Sequence, residues 1–152
     1  MSDNISLFGL QVRLQASLTF PAGITLSAWA DDQPPLESAD IQVADSAMGP
    51  NGNLVIWQKP AVIPVTLSVI PNSEDDRNLT LLLEANRISK NKGLVPLDII
   101  TAVGVYQDGR TITLSQGIIM SGPAAPSGSQ DGRLNSRRFG FSFEDKTETQ
   151  PA

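Results

Sequence analysis

The stretch GPNGNLVIWQKPAVIPVTLSVIPNS, Gly49 to Ser73, holds a tight turn, two strand-like runs and the start of a helix. Pro50-Asn51-Gly52-Asn53 is a turn of the Asn-Gly kind, where a positive φ costs little. Leu54 to Trp57 then reads as a strand, and Lys59-Pro60 interrupts it. Val62 to Ile70 is the most strand-like block in the chain: Val65, Leu67 and Val69 face one way, Thr66, Ser68 and Ile70 the other. Pro64 puts the beginning of this block at an edge or a bulge. The stretch contains no nucleophile–base pair and no metal-ligand cluster. Its content is geometry.

Downstream, NSEDDRNLTLLLEANRISKNKG predicts the one clear helix, from Glu74 to about Ser89. Ser73 is a good N-cap, with Asp76 placed as in a capping box. Glu74, Asp75 and Asp76 suit the positive helix end, and Arg87, Lys90 and Lys92 the negative end. Capping accounts for these acids without a catalytic role. Leu79, Leu82, Leu83 and Ile88 form an apolar stripe for packing on the outer side of a sheet, and Gly93 can close the helix. Two strands follow, Asp98 to Tyr106 and Thr111 to Met120, joined through Gln107-Asp108-Gly109-Arg110. Gly122 to Ser136 is rich in Gly, Pro and Ser and is expected to be mobile in an isolated subunit. Phe139, Phe141 and Phe143 alternate in a last strand, and residues 146–152 read as a flexible polar tail.

Upstream, Ile5 to Leu18 alternates, with a break at Gly9 that suggests a bulge. Gln11, Arg13 and Gln15 form its wet face. A short strand is expected at Ile24 to Ala30, then a loop through Asp31, Asp32 and Pro34-Pro35, then strand character from Ile41 to Ala44. The total is about seven strands and one helix. The fold class is mainly β: an antiparallel sandwich or half-barrel with one packed α-helix, as a single domain over residues 1–145.

Composition narrows the chemistry. The 152 residues suit one domain, and they include no Cys and no His. Disulfides, thiolate sites and Ser-His-Asp or Cys-His catalysis are therefore excluded. No cofactor or metal site is expected. The net charge of −5 argues against a phosphate-gripping protein. The basic clusters are Lys90-Asn91-Lys92, read as a helix end, and Arg133 to Arg138. No stretch is long and apolar enough to span a bilayer. The start MSDNISLFG has no signal-peptide pattern, so the expectation is a soluble protein made in a cytoplasm.

The alternating first strand, the GPNGN turn, the strand running into a capped helix (VTLSVIPNSEDDRNLTLLL), the hairpin YQDGRTITLSQGIIMSGP and the closing aromatic strand resemble the tail-tube proteins of contractile phages. The likeness covers about Leu7 to Glu144. It implies six-subunit rings whose strands join one inner β-barrel, stacked into a tube through which DNA passes, with the tail sheath and the baseplate as partners. Related folds build tube-like baseplate rings, so a tube initiator or adaptor ring is the alternative within the resemblance. In a tube wall, Gln11, Gln15, Thr66 and Ser68 are the lumen-facing candidates. Arg13, Pro50, Asn51, Gly52, Arg133, Arg137 and Arg138 are the inter-subunit candidates. Such a protein would reside in the virion tail after assembly in the host cytoplasm.

Two other classes compete. A carbohydrate- or receptor-binding β-sandwich of a fibre or decoration protein would use Trp29 and Trp57 as stacking platforms; the plainer reading puts both in a core or interface. A hydrolase would use a carboxylate pair from Asp31, Asp32, Glu37 and Asp40; the plainer reading is a solvated loop. One outcome follows from the capping pattern alone. Ser73→Ala is expected to lower stability by roughly 0.5–2 kcal/mol, read as a shift of the urea midpoint. An unchanged midpoint removes Ser73 as the cap.

Overall fold

Alternation sets the strands. The side chains of Gln11–Ala16 are exposed and buried in strict turn, as a strand with one wet face requires. In a computed structural model, which describes residues 6–150, the chain order is β1 (Gln11–Ala16), β2 (Phe20–Leu26), β3 (Leu36–Ser38), β4 (Ala44–Met48), β5 (Leu54–Gln58), β6 (Ile63–Val69), α1 (Glu74–Ala85), β7 (Ile100–Val105), β8 (Thr111–Ser121) and β9 (Arg137–Thr149). Seven strands form one antiparallel sheet in the order β2-β1-β7-β8-β9-β6-β3, and β4 and β5 pair only with each other. The sheet has two open edges, so the single chain is not a closed barrel.

The long strands β8 and β9 bend and so serve two layers. The β7–β8 ladder shifts register between the pairs Ile100–Gly117 and Ala102–Leu114. Gln116 sits there with φ 53°, and Gly117 follows. A Cβ on Gly117 would stand 2.2 Å from the Phe143 ring, so only glycine lets the aromatic side chain lie across the bend. Below the bend β9 pairs with β8 alone, from Asp145 to Thr149. Above it, Arg137 to Phe143 also pair with β6. The first layer is thus β2-β1-β7-β8 with the C-terminal part of β9. The second is the C-terminal part of β8 with the N-terminal part of β9, β6 and β3. A bridge from Trp29 to Val69 and the Trp29 indole bond to Leu10 O (2.8 Å) pull the layers together. Val12, Leu14, Leu26 and Ile100 from one layer and Val65, Leu67, Phe139 and Phe141 from the other make one core.

Helix α1 begins as expected: Ser73 Oγ accepts from Asp76 N at 3.1 Å. Its acids do more than cap. Asp75 accepts from Ser27 N and Ala28 N, both at 2.8 Å, and the buried Asp76 carboxylate lies 2.9 Å from Arg137 Nε. Leu79 and Leu82 are fully buried in the common core, so the helix plugs the sandwich and does not ride on an outer face. It also ends earlier than its periodicity suggests. Asn86 caps it, donating from Nδ2 to Leu82 O at 2.8 Å. Ile88, expected on the stripe, lies beyond the end and is 58% exposed. Gly93 closes a separate turn on Ser89. Lys92 does reach the helix end, donating to Glu84 O at 2.5 Å.

Other boundaries move too. Ile5 lies outside the described residues, and Gly9 sits in a turn before β1 where a bulge was expected. The strand expected at Ile24 to Ala30 starts earlier, at Phe20. The strand character read at Ile41 to Ala44 belongs to Ala44–Met48. Leu36–Ser38 pair with β6 against Val65–Leu67; this pairing stops short of Pro64, which agrees with an edge there. Lys146 to Thr149, taken as the start of a flexible tail, pair with Thr111 to Leu114. The ordered domain therefore runs past residue 145, and Pro151 and Ala152 lie outside the described residues.

Asp98 is buried ahead of β7 and joins three elements. Its carboxylate accepts from Leu18 N (2.7 Å), Thr19 N (2.9 Å), Thr19 Oγ1 (2.6 Å) and Asn86 Nδ2 (2.8 Å). Burial pushes this carboxyl up, but the bonds from Thr19, Asn86 and the Leu18 and Thr19 backbone outweigh it and hold the group below its ordinary value. A lowered folded value means that the stabilisation is complete above the unfolded value, about pH 4. It is lost as pH falls through the folded value. Asp98→Ala is expected to cost roughly 3 kcal/mol, because buried donors lose their acceptor. Asp98→Asn should flatten the acid limb of stability against pH. Urea titrations from pH 2 to 7 check both, and an unchanged acid limb in Asp98→Asn overturns the assignment.

Candidate assembly surfaces

The least satisfied part of the molecule is the β4–β5 ribbon. Pro50-Asn51-Gly52 forms its tip as expected, with Gly49 N bonded to Asn53 O at 2.8 Å and Gly52 at φ 85°. Met48 is 68% exposed, Leu54 61%, Ile56 71% and Trp57 46%. Val55 is also exposed, so apolar side chains emerge on both faces. A two-stranded ribbon alone is marginally stable at best in water, and an apolar patch of this kind marks a contact surface. Beside its base, Pro60, Val62, Gln116, Ile118 and Glu144 line an open groove of about 440 Å³.

The second surface is the outer face of the first layer. Register places Arg13 beside Val103, Val103 beside Thr113, and Thr113 beside Thr147. Gln11, Gln15, Thr101, Thr111 and Ser115 share this face, so it is polar and mostly neutral. Arg13 donates to Ala22 O and Gln15 to Pro21 O, both at 2.8 Å, which lays both side chains along β2. The four lumen candidates do not share it. Gln11 and Gln15 do; Thr66 lies on β6, in the other layer. Ser68 is fully buried with no partner for its hydroxyl among the described residues, because Ala30 and Pro35 cross over it and bond its backbone. Period-two reading cannot see that a loop covers the far face.

The candidate arginines of the C-terminal part are engaged within the chain. Arg133 pairs with Asp31 and Arg138 with Glu37 (2.6 Å). Arg137 is 7% exposed and holds Asp76. It is a core ion pair and leaves the set of contact residues. Gly122 to Ser136, expected to be loose, carries a bridge between Gly128 and Leu134 and is tied to the Asp31–Asp32 loop by Arg133 and by a Ser136–Asp32 hydrogen bond.

The same contacts bear on the rival readings. Trp29 is a lock between layers, and Trp57 stands on the ribbon. Arg133 bonds the Asp31 carboxyl and holds it below its ordinary value, the wrong direction for a general acid at neutral pH. The partly open cavity between the layers, lined by Val12, Leu36, Val65, Leu114 and Phe143, is about 120 Å³, small against ordinary ligand sites. Among the described residues no group of three or more Asp or Glu is placed to hold a metal.

The family model described as "Tail fiber protein gp32", of E217 gp32, matches residues 3–147. The chain belongs to this family. The gp32-family chain finds no match among curated proteins. Its fold is that of solved contractile-system proteins over almost its whole length. The sheath/tube terminator of the PVC extracellular contractile injection system has a TM-score of 0.60 at 13% identity, with 99% of each chain covered. The tube-terminating cap of the anti-feeding prophage has a TM-score of 0.50 at 15% identity, covering 100% of this chain and 94% of the cap. A chain of the anti-feeding prophage baseplate gives 0.51 at 11% identity, with 98% and 97% covered. The mainly β fold with one packed helix expected from the sequence is thus shared with these proteins.

Ile56→Lys on the ribbon is expected to leave the urea midpoint within about 0.5 kcal/mol of the parent, because the side chain touches no core. Association seen by sedimentation velocity should fall. A large loss of stability with unchanged association overturns the ribbon as a contact surface.

Proposed function

We propose that this gp32-family chain is a structural subunit of a contractile phage tail, assembling six to a ring, with rings stacking into a tube that passes DNA. The observation that carries it is the apolar β4–β5 ribbon, which the chain itself leaves uncovered. Fold likeness to a tube terminator, a tube cap and a baseplate protein supports it, and the baseplate neighbour comes from a sixfold-symmetrised structure. The polar face of the first layer supplies the lumen wall: Gln11, Gln15 and the threonines offer DNA no array of cations, so each phosphate slides without a brake. The sheath and the baseplate are the partners, the tail of the virion is the location, and the chain performs no catalysis. Among the described residues no helix is long and apolar enough to cross a membrane.

A second reading, a ring at one end of the tube, is favoured by the terminator neighbour. The family description favours a third, a receptor-binding fibre. Electron microscopy of the concentrated protein, with mass measurement across concentration, separates them. Open-ended stacked tubes support the tube subunit, and single sixfold rings support the end ring. A monomer or trimer that binds glycans overturns both in favour of the fibre.

A further inference from the structure

The first layer has two free edges. At one end β2 pairs only with β1. At the other, β9 beyond Phe143 pairs only with β8, because β6 begins at Ile63 opposite Phe143. Unpaired edges of this kind recruit strands. Four antiparallel steps separate β2 from β9, so both strands run in the same direction. In a ring of identical copies, β2 of one copy therefore approaches β9 of the next in parallel.

The rows agree in height. Leu26 pairs with Val12, Val12 with Gly104, Gly104 with Ile112, and Ile112 with Glu148. Ile24 reaches Lys146 by the same count through Leu14, Ala102 and Leu114. Ile24–Leu26 thus stand level with Lys146–Glu148. Above Ile24 the β1–β2 ladder is irregular. There Gly23, at φ 85°, lies under the Arg13 guanidinium, and a Cβ would meet it at 3.2 Å. The bare glycine lets Arg13 lie flat toward the β2 edge. That brings its charge toward the level of Gln15, opposite Thr101; across the β7–β8 bulge, Ser115 stands opposite Asp145. Arg13 makes no ion pair among the described residues. Among the described residues the exposed Asp145 carboxylate accepts only from Lys146 N next to it. Lys146 and Glu148 belong to the rows of inward-facing residues, and Glu148 is 3.5 Å from Arg110.

Resting on the ring reading above, we propose that the free edge of β2 in one copy docks on the C-terminal part of β9 in the next, and that Arg13 pairs with Asp145 across this seam. The pairing closes both edges and neutralises the two isolated charges of the polar face.

Two experiments test it with the full chain. Arg13→Asp and Asp145→Arg should each raise the concentration for half-assembly by about tenfold or more, since close interfacial charge pairs couple strongly. The double reversal should restore it. Circular dichroism checks that each variant folds. Second, the chain has no Cys, so Thr25→Cys with Thr147→Cys gives a clean cross-link. The two sites lie four strand spacings apart in one copy, roughly 19 Å, too far for an internal disulfide. Oxidation should give a covalent ladder ending at the ring, and neither single variant should. Rings that ignore both reversals overturn the seam and leave the ring reading standing. So does a Thr147→Cys that cross-links to Ile56→Cys and not to Thr25→Cys, which gives β9 to the ribbon of the neighbour. A parent protein that stays monomeric at every concentration overturns the ring and the seam together.

Discussion

The arrangement depends on Phe143 lying over Gly117. A strand that serves two layers must bend, and β9 bends where a bulge in β8 coincides with a glycine. The aromatic ring fills the space a side chain would occupy. Above that point β9 carries Phe139 and Phe141 into the core against β6. Below it, the same strand extends the first layer and leaves one side bare. The bend therefore sets the core and the free edge together. A straight β9 would give a flat sheet without an enclosed interior.

Much of this was legible in the sequence. Alternation in QVRLQA, VTLSV and FGFSF reports one buried face, and burial follows it almost residue by residue. The Ser73 cap is local chemistry and appears where it was read. What depends on tertiary contact was not legible. Leu36–Ser38 are strand only because β6 offers an edge, and LES beside two prolines carries no such signal. The helix stops at Ala85 because Asn86 is drawn to Asp98, a partner 12 residues on. Its apolar periodicity continues past that point to Ile88 without effect.

Charge was the most misleading signal. Asp75 and Asp76 look like helix-dipole partners, and basic residues near the C-terminus look like a surface cluster. Both descriptions hold locally, yet Asp76 and Arg137 are the two halves of one buried pair. Such pairs return little net stability, but breaking one leaves a costly lone charge. Arg133 meets Asp31 in the loop between β2 and β3, and Arg138 meets Glu37 on β3. Each pairing joins residues about a hundred positions apart, and no spacing rule connects them. Arg137 is buried, and Arg133 and Arg138 already hold acids of their own chain, which turns attention to Arg13, whose position on a wet face was legible from the start.

The candidate surfaces were half legible. GPNGN and LVIWQ announced a hairpin, but not that it would stand clear of the core with apolar residues on both faces. The unpaired part of β9 was hidden because KTET reads as tail. Both features are costly in an isolated chain: one exposes apolar area to water, the other leaves a sheet edge open. The carboxylates held below their ordinary values, at Asp31, Glu84, Asp98 and Asp131, lie on neither feature. Surfaces that are costly alone gain a purpose when a second copy covers them. That is the physical reason to seek this chain's function in its assembly and not in a pocket.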